Sequence, residues 1–128
     1  MERVKRPLRI LVGVLFIVVG TLHFALVELY VRLTPPWVPV PVLWVLLSGV
    51  LELLGGIGLL LRPVRRAAAY GLALLMAVSL PVSVSVLVNP AAVGLAWVPP
   101  LVLLWRLALQ VALITLLVWF AEDERVHA

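Results

Sequence analysis

The chain has no cysteine in its 128 residues. That absence excludes disulfides, a thiol nucleophile, a CxxC redox pair and thiolate-held metal clusters. Charge is also scarce: 12% of residues are Asp, Glu, Lys or Arg, 65% are hydrophobic, and the mean hydropathy is +1.23. Soluble domains are about a quarter charged, so this chain has too little polar surface to cover a water-soluble globule. Histidine occurs only as His23 and His127, and only His23 falls in an apolar run. An intramembrane bis-histidine haem is therefore not available, and a zinc or di-iron site would be short of ligands. No Gly-rich phosphate loop, nucleophile elbow or HExxH motif occurs, so no catalytic residue and no metal site is assigned. A pI near 10.7 would suggest nucleic acid in a soluble protein. Here most of the basic residues flank apolar runs, which reads as membrane orientation.

What is present is a set of long apolar runs. They predict an all-α integral membrane four-helix bundle, a single domain over 1–128 with helices at about 8–31, 42–61, 66–88 and 100–121. The first run resembles a signal peptide, but it exceeds the usual apolar length and no small-x-small cleavage pattern follows before Thr34-Pro35-Pro36, so it reads as a retained helix. From Ala67 to Trp105 no residue is charged, which is too long for one crossing of a core of about 30 Å. Asn89-Pro90, Gly94 and Pro99-Pro100 supply the turn. Trp37, Trp44, Trp97 and Trp119 fall near span ends, where amphipathic rings favour the interface. Arg3, Lys5, Arg6, Arg9, Arg62, Arg65, Arg66 and Arg125 lie on one side, against Arg32 on the other. Both termini are therefore expected in the cytoplasm.

With that orientation, counting at 1.5 Å per residue puts Glu52 at ~16 Å, Gln110 at ~15 Å, His23 at ~13 Å, Arg106 at ~9 Å and Glu28 at ~6 Å from the outer boundary. Ser79, Ser83 and Ser85 flank Pro81 at a similar level. All four helices thus bring polar atoms to one depth. Charges in hydrocarbon cost ~2.5 to 3.5 kcal/mol each, so Glu52 and Arg106 are expected to face the bundle interior and find partners. Arg106 and Gln110 are four apart and share a helix face. Glu28 and Arg32 have the same spacing and are expected to pair at the outer surface. Pro81 should bend its helix and free a carbonyl near Ala77. Gly49 and Gly56, seven apart, offer a small-residue face for helix packing.

The series Gly20-x-x-His23-Phe24, Pro35-Pro36-Trp37-Val38-Pro39 and Ser48-Gly49-Val50-x-Glu52-x-x-Gly55-Gly56-x-Gly58 continues with Arg66-Ala67-Ala68, Pro81 and Trp105-Arg106-Leu107-x-Leu109-Gln110. In order and spacing it resembles the DoxX family of small bacterial membrane proteins. The resemblance implies a four-helix membrane bundle and support of membrane redox processes. Relatives of that kind include a subunit linked to thiosulfate-to-quinone electron transfer and a member of an oxidative-stress complex. The family-type polar residues are His23, Glu52, Arg106 and Gln110. Relatives often carry Pro-Ala-Asn where this chain has Pro81-Val82-Ser83.

Three functional readings follow. The leading one is a non-catalytic subunit or scaffold of the bacterial inner membrane that serves a redox or sulfur-stress system. It would hold a quinone-like ligand through His23, Glu52, Arg106, Gln110 and Ser83, and would join a redox-enzyme partner or a second copy in the lipid bilayer, not nucleic acid. The second is a small carrier or proton-linked permease in which Glu52 changes protonation. The third is an assembly factor that holds other membrane proteins through the Gly49 and Gly56 face.

Overall fold

A computed structural model describes residues 2–127, with side chains described from Lys5 to Glu122. Five α-helices follow in chain order: α1 (Glu2–Ala25), α2 (Val27–Arg32), α3 (Pro41–Leu60), α4 (Arg65–Val88) and α5 (Pro100–His127). Short 3-10 turns at Arg62–Val64 and Pro90–Val93 join the later ones, and no strand occurs among the described residues. Four stretches are long and apolar enough to cross a membrane: Lys5–Ala25, Pro41–Leu60, Arg62–Val88 and Pro100–Glu122. The side chains of Arg3, Asp123, Glu124, Arg125 and His127, which carry part of the charge asymmetry, lie outside the described residues.

The first expected helix is broken. Leu26 leaves helical geometry at φ −121° and ψ 36°, so α2 is a separate element. The helix boundaries elsewhere follow local chemistry. Pro41 occupies the first position of α3, where its missing N–H costs nothing. Val40, between Pro39 and Pro41, takes a left-handed conformation at φ 45°, an outlier for a β-branched residue.

Neighbouring helices pack in sequence order, α1 on α3, α3 on α4 and α4 on α5. The α1–α3 seam is built on glycine. A Cβ on Gly20 would lie 2.9 Å from the Gly49 carbonyl, and one on Gly56 would lie 2.7 Å from the Gly13 carbonyl. Two glycines seven apart on each helix therefore meet in antiparallel pairs, and their missing side chains let the backbones touch. The seam also leaves Gly49 and Gly56 fully covered by α1. The face proposed for holding other proteins is thus taken up inside the chain.

The main core lies toward the end that carries both termini. There Phe16, Leu59, Leu72, Leu117 and Phe120, from four helices, are buried together. Lys5 is 1% exposed, with its ammonium 4.3 Å from the centre of the Trp119 ring. Arg9 is buried as well, and the Tyr70 hydroxyl donates to Glu122. This half is closed both by apolar packing and by charged groups laid against aromatic rings. A smaller core of Val86, Val93 and Leu103 ties α4 to α5 at the opposite end. There Trp37 Nε1 donates to Ser85 Oγ at 2.9 Å, strapping the proline-rich loop onto α4.

Candidate functional site

The glycine seam determines which polar groups meet. His23 stands three residues after Gly20 and Glu52 three after Gly49, so each shares its glycine's helix face. Because Gly20 and Gly49 touch, the two side chains are forced together: His23 Nδ1 lies 3.1 Å from Glu52 Oε2. Both are buried, His23 at 9% and Glu52 at 5% exposure. The carboxylate thus finds the histidine, not Arg106.

The proton assignment in this pair follows from geometry. His23 Nδ1 is 2.8 Å from the Val19 carbonyl one turn earlier. A carbonyl can only accept, so Nδ1 carries a proton and spends it there. The short approach to Glu52 is then a contact beside that bond, and Glu52 Oε2 has no hydrogen-bond partner among the described residues. An unsatisfied buried oxygen costs about 1–3 kcal/mol. A ligand that donates a hydrogen bond to Oε2 would remove the deficit.

Tyr30 completes the site, and the sequence reading did not include it. Seven residues along an unbroken helix would separate it from His23 by about 10 Å of rise. The helix departs from regular geometry at Leu26 between them, and the two rings stack with centroids 4.1 Å apart and planes 17° from parallel. No proline or glycine lies at this break; the stacked pair, worth roughly 0.5–1.5 kcal/mol, is what the bend gains. The only sequence signal was an aromatic residue one heptad after the histidine. Tyr30 lies on α2, outside the apolar spans, and its hydroxyl is held above the usual phenol value by burial, with Glu52 adding to the shift and Arg106 opposing it. That opposition locates the Arg106 charge near the site.

Arg106 itself is exposed and makes no hydrogen bond or ion pair with any described residue. The expectation of an interior, paired arginine is corrected here: the α1–α3 seam gives Glu52 to His23, and the guanidinium is left at the edge. The expected Glu28–Arg32 pair is corrected too. Both side chains are exposed and unbonded to each other, in keeping with the small gain such surface pairs offer.

Gln110 and Ser83 belong to a different junction. The Ser83 hydroxyl donates to Gln110 Oε1, and Gln110 Nε2 donates to the Met76 carbonyl at 2.9 Å. The amide therefore fastens α5 to α4 on both sides of Pro81, and its Met76 partner is one residue from the carbonyl expected to be freed. Ser79 caps a second carbonyl of the same turn, donating to Leu75 at 2.7 Å. Although Arg106 and Gln110 are one turn apart, the amide is spent on α4 while the guanidinium is not. No hydrogen bond among the described residues links this junction to Glu52.

Among the described residues, no three His, Asp or Glu side chains converge in a manner suited to a metal ion. What the site offers is a buried carboxyl oxygen in want of a donor, a protonated ring nitrogen beside it, a stacked phenol and an arginine at the rim. Such a set can hold the polar head of a planar ligand that both donates and accepts hydrogen bonds.

No match to this chain is found among curated proteins or among solved structures. A family profile does match, over residues 12–121, a segment that holds His23, Tyr30, Glu52, Ser83, Arg106 and Gln110. The chain belongs to that family, described as a domain of unknown function, DUF8561.

Proposed function

We propose that this chain is a DoxX-like, non-catalytic subunit or scaffold of the bacterial inner membrane, with both termini cytoplasmic, that supports a redox or sulfur-stress system by holding a quinone-like ligand. The observation that carries the reading is the unpartnered Glu52 Oε2, buried beside the stacked His23 and Tyr30 rings. A buried oxygen left without a donor costs free energy, and a hydroxyl of a reduced, quinol-type head supplies the missing proton. Arg106 at the rim offers a donor to a ligand oxygen. In this reading Glu52 and Arg106 anchor the head, Tyr30 and His23 form its aromatic wall, and Gln110 with Ser83 fixes the helices around it. Orientation rests on the basic residues gathered at the terminal end. The DoxX likeness rests on the order and spacing of the motifs.

A permease would need a path through the half that carries the termini. Leu59, Leu117 and Phe120 are fully buried there, which favours binding from one side over passage.

The test is native mass spectrometry of the protein extracted gently from its own membrane, comparing wild type with Glu52→Gln. A quinone-sized adduct present in the wild type and lost in the variant is the expected result. A retained protein partner with no small molecule in either sample would overturn the ligand assignment and leave the chain as an anchor.

A further inference from the structure

Residues 26–40 are held differently from the long helices on either side. Both ends of this segment are irregular points of the backbone: Leu26 leaves helical geometry at φ −121° and ψ 36°, and Val40 stands at φ 45° and ψ 65°. Val40 is the one non-glycine residue with positive φ among the described residues. Between these ends α2 buries no residue, and Pro35 is the only buried position. Apart from the packing of α2 on α1 and α3, two specific contacts tie the segment to the bundle. The Tyr30 ring stacks on His23, and Trp37 Nε1 donates to Ser85 Oγ at 2.9 Å. Trp37 is otherwise 57% exposed, so its hydrogen bond to α4, rather than burial, fixes its ring. Few buried contacts between two irregular joints mark a segment of low local stability.

The same segment stands over the candidate site. Tyr30 lies against His23, whose ring nitrogen is 3.1 Å from Glu52 Oε2, and the phenol is near enough for the Glu52 and Arg106 charges to act on it.

We infer that residues 26–40 form a hinged lid over the His23–Glu52 site, turning at Leu26 and Val40 and latched to α4 by the Trp37–Ser85 hydrogen bond. Hinges are a few loop or element-terminal residues that absorb a change in φ and ψ. A valine held in the left-handed region is strained, and such strain persists only where the surroundings impose it. Opening relieves Val40, while the latch and the ring stack hold the lid shut. These opposed terms are of similar size, so closed and open states lie close in free energy. The inference rests on reading Glu52 as the ligand site, but its test measures access to that position and not occupancy.

The chain has no cysteine, so Glu52→Cys supplies a single thiol beneath the lid. The experiment is the rate at which a cationic methanethiosulfonate labels this thiol in the detergent-purified full chain. Trp37→Phe removes the donor and Ser85→Ala the acceptor of one hydrogen bond, and each should speed labelling about fivefold. The two changes together should do no more than either alone, because they break the same bond. Val40→Asn, which eases the closed conformation, should slow labelling severalfold. Ala73→Cys, in the buried core at the terminal end, should label at the same low rate in every background. Rates at Glu52→Cys that ignore the latch variants, or a thiol that stays unreactive in all of them, would overturn the lid. Equal acceleration at Ala73→Cys would overturn it in favour of general loosening of the bundle. Latch-dependent labelling without a quinone-sized adduct in the wild type would remove the ligand and leave the lid standing.

Discussion

His23 Nδ1 and Glu52 Oε2 stand 3.1 Å apart on two helices that touch through Gly20 and Gly49. The contact is positional in origin: each side chain lies one turn beyond a glycine that permits the approach. It leaves the carboxyl oxygen unsatisfied, because the ring proton goes to Val19. A structural staple would be expected to satisfy both partners, so the arrangement favours a role in binding.

Glu52→Leu tests that distinction. Removing a buried acid that has no good partner should leave stability unchanged or raise it by up to about 1 kcal/mol, since the His23 bond to Val19 survives. Thermal unfolding in detergent measures the first half, and loss of the bound small molecule the second. A large fall in melting temperature would make Glu52 a packing element.

Gln110→Leu should behave in the opposite way. The change strips the acceptor from the buried Ser83 hydroxyl and the amide donor from the Met76 carbonyl, and orphaned groups of this kind cost about 1–3 kcal/mol. The melting temperature should fall, and the double variant Gln110→Leu with Ser83→Ala should recover part of the loss.

The glycines separate seam from surface. Gly49→Ala places a methyl 2.8 Å from His23 Cβ, and overpacking at a tight seam costs about 1–3 kcal/mol. Gly71→Ala meets nothing and should stabilise by roughly 0.5–1 kcal/mol through helix propensity. Opposite shifts in melting temperature are the expected pattern.

Val40 carries backbone strain, with φ 45° between two prolines. Asparagine tolerates this region better than a β-branched residue, so Val40→Asn should raise stability by about 1 kcal/mol. An unchanged or lower midpoint in thermal unfolding would mean that the valine side chain contributes more than its strained backbone costs.

The four apolar stretches and the turn near Asn89-Pro90 were readable from the sequence, because hydropathy and turn chemistry act over a few neighbouring residues. Burial of His23 and Glu52 was also readable, whereas Arg106 was expected inside and lies exposed. Tyr30 was not, since it depends on a backbone break at Leu26 that no proline or glycine marks.

The sequence by itself determined an all-helical chain without thiol chemistry, with four helices able to cross a membrane and with glycines spaced to let two helices meet. The tertiary structure decided the pairings: Glu52 with His23, Gln110 with Ser83 and Met76, and Arg106 left at the rim. The reason is geometric. Which side chains meet depends on each helix's rotation and on how closely the backbones approach, and those are set by packing of the whole bundle, not by the composition of any one segment.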